Sequence, residues 1–225
     1  MDFNSDRSVF GEGCLDQLIP LLEKQSPKKI FLITGKSSYE SSGAQAKVSK
    51  ILRSYSHVRF CDFEVNPKID DVLKGGELFK SAGCDFIVAI GGGSVIDIAK
   101  CINTYQANSE VFDFVVSDSN LIKNKGVSLV AIPTTSGTGS ESTHFAVIYR
   151  DKVKHSIAHE YLLPDFSIID PSLTFKLPKY VAACAGFDAL SQAIESYWSV
   201  NSNSTSKKYA LDAITLTKNN IVKSV

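Results

Sequence analysis

Three glycines in a row, Gly91-Gly92-Gly93, separate the apolar run Asp85–Ile90 from Ser94-Val95-Ile96-Asp97-Ile98-Ala99-Lys100, which reads as the start of a helix. Glycines let a backbone pass close to a phosphate and take turn geometries closed to other residues. The helix that follows offers unpaired N–H groups and a partial positive charge at its first turn. Together they suit a pyrophosphate, with Ser94 capping the helix or bonding a phosphate oxygen and Asp97 in the first turn. The same residues also suit a plain glycine-rich turn in which Asp97 merely favours the helix dipole. A second cluster, Pro133-Thr134-Thr135-Ser136-Gly137-Thr138-Gly139-Ser140-Glu141, follows another buried strand. Its hydroxyls stand where open α/β sheets bind ligands and could bond a ribose, a nicotinamide amide or a phosphate; a solvated loop is the other reading. A third set, Asp188, Gln192 and Glu195, recurs at offsets that put all three on one helix face. A carboxylate with a second ligand one turn on can hold a metal. The residues alone favour a polar stripe facing water.

The elements that must position these groups read as an α/β domain. Lys29–Thr34, Asp85–Ile90 and Ser128–Ile132 are continuously apolar, as strands buried on both faces should be. Between them lie helical stretches, one with Ile69, Val72, Leu73 and Phe79 on a common face and one from about Ser41 to Ser54. Strand, helix, strand signals a parallel sheet. The character changes near Leu177-Pro178, since Pro178 suits a first helical turn. From there Lys179 to about Val200 and Ser204 to about Val225 read as helices around the polar turn Asn201-Ser202-Asn203. The expected domains are 1–177, α/β, and 178–225, the beginning of a helical region that reads as truncated. Two helices alone make a poor second domain.

Composition narrows the function classes. The 225 residues carry 24 basic and 24 acidic side chains, with no basic stripe for nucleic acid. The five cysteines, Cys14, Cys61, Cys84, Cys101 and Cys184, form no Cys-x-x-Cys pair and read as small buried residues in a reducing cytoplasm. A polar N-terminus and the lack of any long apolar run give neither a signal peptide nor a membrane span.

The three clusters, in this order, resemble the iron-containing alcohol dehydrogenase family, whose relatives include glycerol dehydrogenase and dehydroquinate synthase. The family's Gly-Gly-Gly-Ser-x-x-Asp-x-Ala-Lys is met at Gly91–Lys100 and its Pro-Thr-Thr-x-Gly-Thr-Gly-Ser-Glu at Pro133–Glu141. Its Gly-x-Asp-Ala-Leu-x-His-Ala-x-Glu is met at Gly186–Glu195, except that Gln192 stands in place of the histidine. The stretches Arg7–Gly11, Val147–Tyr149 and Pro164–Leu173 agree as well. Three long motifs in order are more specific than one glycine loop.

The resemblance implies a Rossmann-like parallel-sheet domain followed by the start of an all-helical, dehydroquinate synthase-like domain. It implies an NAD(P)-dependent, metal-assisted oxidoreductase that interconverts a small aldehyde and its primary alcohol. Gly91, Gly92, Gly93 and Ser94 would hold the pyrophosphate with Asp97 nearby at the cofactor, and Thr134, Thr135, Thr138 and Ser140 would line the nucleotide. Lys154 would approach the cofactor. Asp188 would be the catalytic metal ligand with Gln192 beside it, the metal being iron or zinc in a complete enzyme. Gln192 weakens that set, because an amide oxygen is a poorer ligand than an imidazole. His57, His144, His155 and His159 fall outside the family's ligand positions. Some members carry Thr-Asp-Lys after the first long strand, where the acid repels NADP; Thr34-Gly35-Lys36 here leans toward NADPH. The stretch Asp188–Ser199 is similar to the branch that reduces phosphonoacetaldehyde. The family implies a homo-oligomer. Two alternatives stay open: a nucleotide-binding remnant without catalysis, and a dehydroquinate synthase-like lyase.

Overall fold

The structure, a computed structural model, describes residues 6–225. Eight strands run in chain order as β1 (Ser8–Phe10), β2 (Ile30–Thr34), β3 (His57–Phe60), β4 (Phe86–Gly91), β5 (Ser128–Pro133), β6 (Phe145–Arg150), β7 (Val153–Ala158) and β8 (Phe166–Ile169). The helices are α1 (Leu18–Gln25), α2 (Ser38–Ser41), α3 (Ala44–Ile51), α4 (Ile69–Ala82), α5 (Gly93–Ala107), α6 (Phe112–Val115), α7 (Lys179–Trp198) and α8 (Ser204–Asn220). Short 3-10 turns join several of them.

Six strands form one sheet in the order β1-β8-β5-β4-β2-β3, and every pairing in it is parallel. Alternate residues of a strand face opposite sides of its sheet. Phe31, Ile33, Ile87, Ala89 and Leu129 enter one apolar cluster, which includes Ile98 and Ile102 of α5. Ile30, Leu32, Val88, Ile90, Val130 and Ile132 enter another, with Leu18 and Leu22 of α1 and Val48 of α3. A strand needed on both faces cannot alternate apolar with polar, which is why β2, β4 and β5 are apolar throughout. The hairpin β6–β7 is antiparallel and separate from that sheet. Its turn residues Asp151 and Lys152 both take positive φ.

The helix expected over 41–54 is broken. Gly43 takes the left-handed conformation (φ 83°) and separates α2 from α3. Within α4, Gly75 and Gly76 permit a close approach: a Cβ on Gly75 would lie 2.4 Å from Ile102 and one on Gly76 2.1 Å from Tyr105, both on α5.

The chain divides into two compact units. One runs to Thr134 and resumes over Ser140–Phe175; the other comprises Thr135–Gly139 with Lys176–Val225. The expected boundary near Pro178 kept residues 135–139 with the sheet. They cluster instead with the helices, and a Cβ on Gly137 would lie 2.4 Å from the carbonyl oxygen of Ala185. In the second unit α7 and α8 pack as a pair. Asn203 caps α8, its side chain accepting from the N–H groups of Thr205 (3.0 Å) and Ser206 (2.9 Å). Among the described residues no helix is long and apolar enough to cross a membrane.

All five cysteines are free thiols, but they are not uniformly buried. Cys84 and Cys101 are buried, Cys14 and Cys61 intermediate, and Cys184 exposed on α7. The sequence reading of five buried cysteines fails at Cys184, whose side of α7 is uncovered.

Candidate functional site

The order of the strands locates a crevice. From β2 the chain goes to β3 on one side and then returns to place β4 on the other. The C-terminal ends of β2 and β4 therefore flank a point where the winding direction reverses, and ligands of open α/β sheets bind outside the strand ends at such a point. Gly35 follows β2 there, and Gly91 closes β4. A Cβ on Gly91 would stand 2.4 Å from a Val95 methyl, so only glycine lets α5 begin this tightly over the strand end. Gly92 is the extended residue before the helix (φ −75°, ψ −176°). Gly92, Gly93 and Ser94 are all partly accessible. The first turn of a 15-residue helix thus reaches the crevice with N–H groups that lack intrahelical acceptors.

The end of β5 sits beside it. Thr134 N–H donates to the Gly91 carbonyl (3.0 Å), tying the two strand ends together. The Thr134 side chain is 1% exposed, and its Oγ1 has no hydrogen-bond partner. A buried hydroxyl without a partner is uncommon and asks for an explanation.

Ser94 does not cap α5, and Asp97 is not in its first turn. The residue before α5 is Gly92, with no side-chain cap, and Ser94 Oγ instead accepts from Asn66 N–H (3.4 Å). Asp97 lies beyond the first turn. Its carboxylate accepts from Ser140 Oγ and from Val147 N–H (3.0 Å). Asp97 and Ser140, both expected to face the cofactor, thus bond each other and lock the segment after β5 onto α5. Burial pushes the Asp97 carboxyl above its ordinary range, while the Ser140 and Val147 bonds and the charges of Lys100 and Lys154 pull it back.

One turn along α5, Lys100 supplies a second lock that the sequence did not reveal. It is 1% exposed, and its Nζ donates to the carbonyls of Thr143 (2.8 Å) and Phe145 (2.7 Å) and to Thr143 Oγ1 (3.3 Å). Burial pushes its pKa down to about 8, against the attraction of Asp97, Cys101 and Glu141. Its place in Asp-x-Ala-Lys was visible, but its partners lie over 40 residues away.

Lys154 is exposed on β7, opposite Tyr149, near enough to act on Asp97. At the other side of the crevice Gly35 carbonyl accepts from Thr34 Oγ1 (3.0 Å) and Arg59 Nη2 (3.2 Å). Lys36 pairs with Asp62 (3.6 Å). Arg59 also had no signal in the sequence, being one residue of a short edge strand.

Thr135 and Thr138 belong to the other unit, as do Asp188 and Gln192. Those last two are exposed on α7, with Gln192 Nε2 donating to Asp188 Oδ2 (2.8 Å). Two donors one turn apart do not close a coordination shell, which takes three or four ligands. Among the described residues no group of three or more His, Cys, Asp or Glu could hold a metal. His159 Nδ1 accepts from Tyr161 N–H (3.2 Å) and His57 Nδ1 lies 3.0 Å from the Tyr55 carbonyl, so both rings have structural partners.

The family model for iron-containing alcohol dehydrogenase matches residues 5–171. Long-chain-alcohol dehydrogenase 1 of Geobacillus thermodenitrificans is 35% identical over 222 residues, covering 97% of this chain and 56% of that protein. NAD-dependent methanol dehydrogenase of Bacillus methanolicus is 34% identical, covering 97% of this chain and 58% of that protein. An alcohol dehydrogenase from Oenococcus oeni superposes with a TM-score of 0.90 at 28% identity, over 97% of this chain and 58% of that one. The chain therefore spans rather more than half the length of these three relatives.

Proposed function

Because the chain belongs to the iron-containing alcohol dehydrogenase family, we propose that it carries the dinucleotide-binding part of an oxidoreductase that interconverts a small aldehyde and its primary alcohol. The observation that carries this reading is the switch point between β2 and β4 in the strand order. A glycine turn opens α5 there, and the unpartnered Thr134 hydroxyl lies beside it.

A nicotinamide dinucleotide would supply or accept the hydride. The chain's own residues bind and orient it. The first-turn N–H groups of α5 and Ser94 receive the pyrophosphate, and the Thr134 hydroxyl gives or takes a hydrogen bond. Asp97 and Lys100 act behind them, holding the backbone from Ser140 to Val147 so that these groups need not reorganise when the nucleotide arrives. Thr135, Thr138 and Lys154 keep their proposed contacts to the nucleotide. Asp188 and Gln192 are too few to hold a metal by themselves, so no step is assigned to one. Gly35, which brings no carboxylate to the end of β2, favours NADPH; a relative named for NAD, the methanol dehydrogenase, argues the other way. The family reading carries a homo-oligomer with it. Phosphonoacetaldehyde is the specific substrate we infer from Asp188–Ser199.

Fluorescence titration with NADH and NADPH tests binding, and absorbance of the reduced nicotinamide tests turnover with simple aldehydes and phosphonoacetaldehyde. Consumption with an aldehyde is the expected result for the oxidoreductase. Binding without turnover selects a nucleotide-binding remnant, which the bond between Gln192 and Asp188 favours. Binding of neither nucleotide ends the reading.

A further inference from the structure

The crevice has a wall that the expected cofactor contacts leave out. Arg59 is the next-to-last residue of β3, and its Cα stands opposite Leu32 of β2. Its side chain nevertheless reaches two residues further, where Nε donates to Thr34 Oγ1 (2.8 Å) and Nη2 to the Gly35 carbonyl (3.2 Å). The guanidinium therefore leans past the C-terminal end of β2. Its carbon lies 5.0 Å from the ring centroid of Tyr39, which is buried beneath it. Two hydrogen bonds and a stacked ring fix its orientation, and the fork still has donors to spare. Arg59 itself is exposed.

The charges around it favour an anion. Lys36 and Lys74 both pair with Asp62, and Lys68 pairs with Glu64. Around these cations lie Asp62, Glu64, Asp70, Asp71 and Glu77, but Arg59 is in no ion pair among the described residues. The carboxylate nearest Lys36 is engaged by two lysines, and Gly35 brings no acid to the end of β2.

On these grounds, and resting on the dinucleotide reading above, we propose that Arg59 is the receptor for the ribose 2′-phosphate of NADP and sets the preference for NADPH over NADH. A planar fork suits a phosphate monoester, because it offers parallel N–H donors to two oxygens at once. Lys36, at the turn after β2, adds a second positive charge to the same place.

The test uses calorimetric titration of the chain with NADPH, NADH, adenosine 2′,5′-bisphosphate and adenosine 5′-monophosphate. The unmutated chain should bind the bisphosphate at least about tenfold more tightly than the monophosphate, a gap that narrows as salt is raised. Arg59→Gln should lose about tenfold for NADPH and for the bisphosphate and leave NADH within about twofold. Arg59→Lys, which keeps the charge but not the fork, should fall between them. Equal weakening of NADPH and NADH by Arg59→Gln means the residue acts only by holding Thr34 and Gly35, and overturns the assignment. So does unchanged NADPH binding. Binding of neither dinucleotide by the unmutated chain is a different failure, because it removes the dinucleotide reading itself.

Discussion

Phe31 and Trp198 are both large aromatic residues, yet Phe31 is fully buried in the sheet unit and Trp198 is 72% exposed in the helical one. The contrast runs through both units. In the first, residues of β2, β4 and β5 pack on two faces against helices and close a core within the unit. In the second, Ala193 and Ala210 are the buried hydrophobics among the described residues, while Tyr180, Phe187, Trp198 and Val200 lie open. A sheet covered on both sides can be stable by itself, whereas a pair of helices buries one stripe of each and leaves the rest to be covered by something else. Apolar patches of this kind mark surfaces that pack on further protein.

The largest effect that would break the comparison is on core packing. Ile87→Ala in β4 should cost about 2–5 kcal/mol, whereas Trp198→Ala should stay within about 0.5 kcal/mol. Urea denaturation of both variants measures the difference, and a comparable cost at Trp198 would show that the helical unit has a core of its own.

Asp170 sharpens the contrast from the polar side. It is buried and accepts from the N–H groups of Gly13 (3.0 Å), Leu15 (3.2 Å) and Ser172 (3.0 Å) and from Ser172 Oγ (2.7 Å), fastening the start of the chain to the end of β8. Burial opposes its charge, but the bonds from Ser172, Gly13 and Leu15 outweigh burial and hold its carboxyl below the ordinary range. A depressed carboxylate stabilises the fold above its unfolded value of about 3.9, and that contribution is lost as pH falls through the folded value. Asp170→Asn should cost about 1–3 kcal/mol at neutral pH and flatten the acid limb of a stability–pH curve.

A smaller effect belongs to Lys100. Its folded value of about 8 lies below the unfolded value of about 10.4, so between them the unfolded chain binds more protons and stability rises with pH. Thermal midpoints from pH 7.5 to 9.5 should show that rise, roughly 1–2 kcal/mol, and Lys100→Met should abolish it. A rise that survives in the variant would mean another group is responsible.

What the sequence made legible follows the same division. β2, β4 and β5 were readable because strands buried on both faces must be apolar at every position. β1 and β8, three and four residues long, have no such pattern, and the edge strand β3 alternates exposed and half-buried residues before Phe60. The helices α7 and α8 were readable from Pro178 and the Asn201–Asn203 turn, although their exposed faces were not. At the site, the glycine turn announced itself because its backbone geometry is written in its residue types. The bond from Ser140 to Asp97 and those from Lys100 to Thr143 and Phe145 are settled by tertiary packing, across 43 to 45 positions. Reading Ser94 as a cap failed because the cap position is two residues earlier, at Gly92.

Thr134 Oγ1 is shielded from water and bonded to nothing in the protein. If Thr134 faces the nucleotide as proposed above, such a group would act as a chemical filter. An arriving molecule with a polar atom at that spot gains a hydrogen bond that the fold leaves unmade, whereas a greasy molecule of the same outline leaves a penalty of about 1–3 kcal/mol standing. On the dinucleotide reading proposed above, discrimination of this sort would need no moving part, since one unsatisfied oxygen at the end of β5 would rank ligands by polarity before any reaction begins.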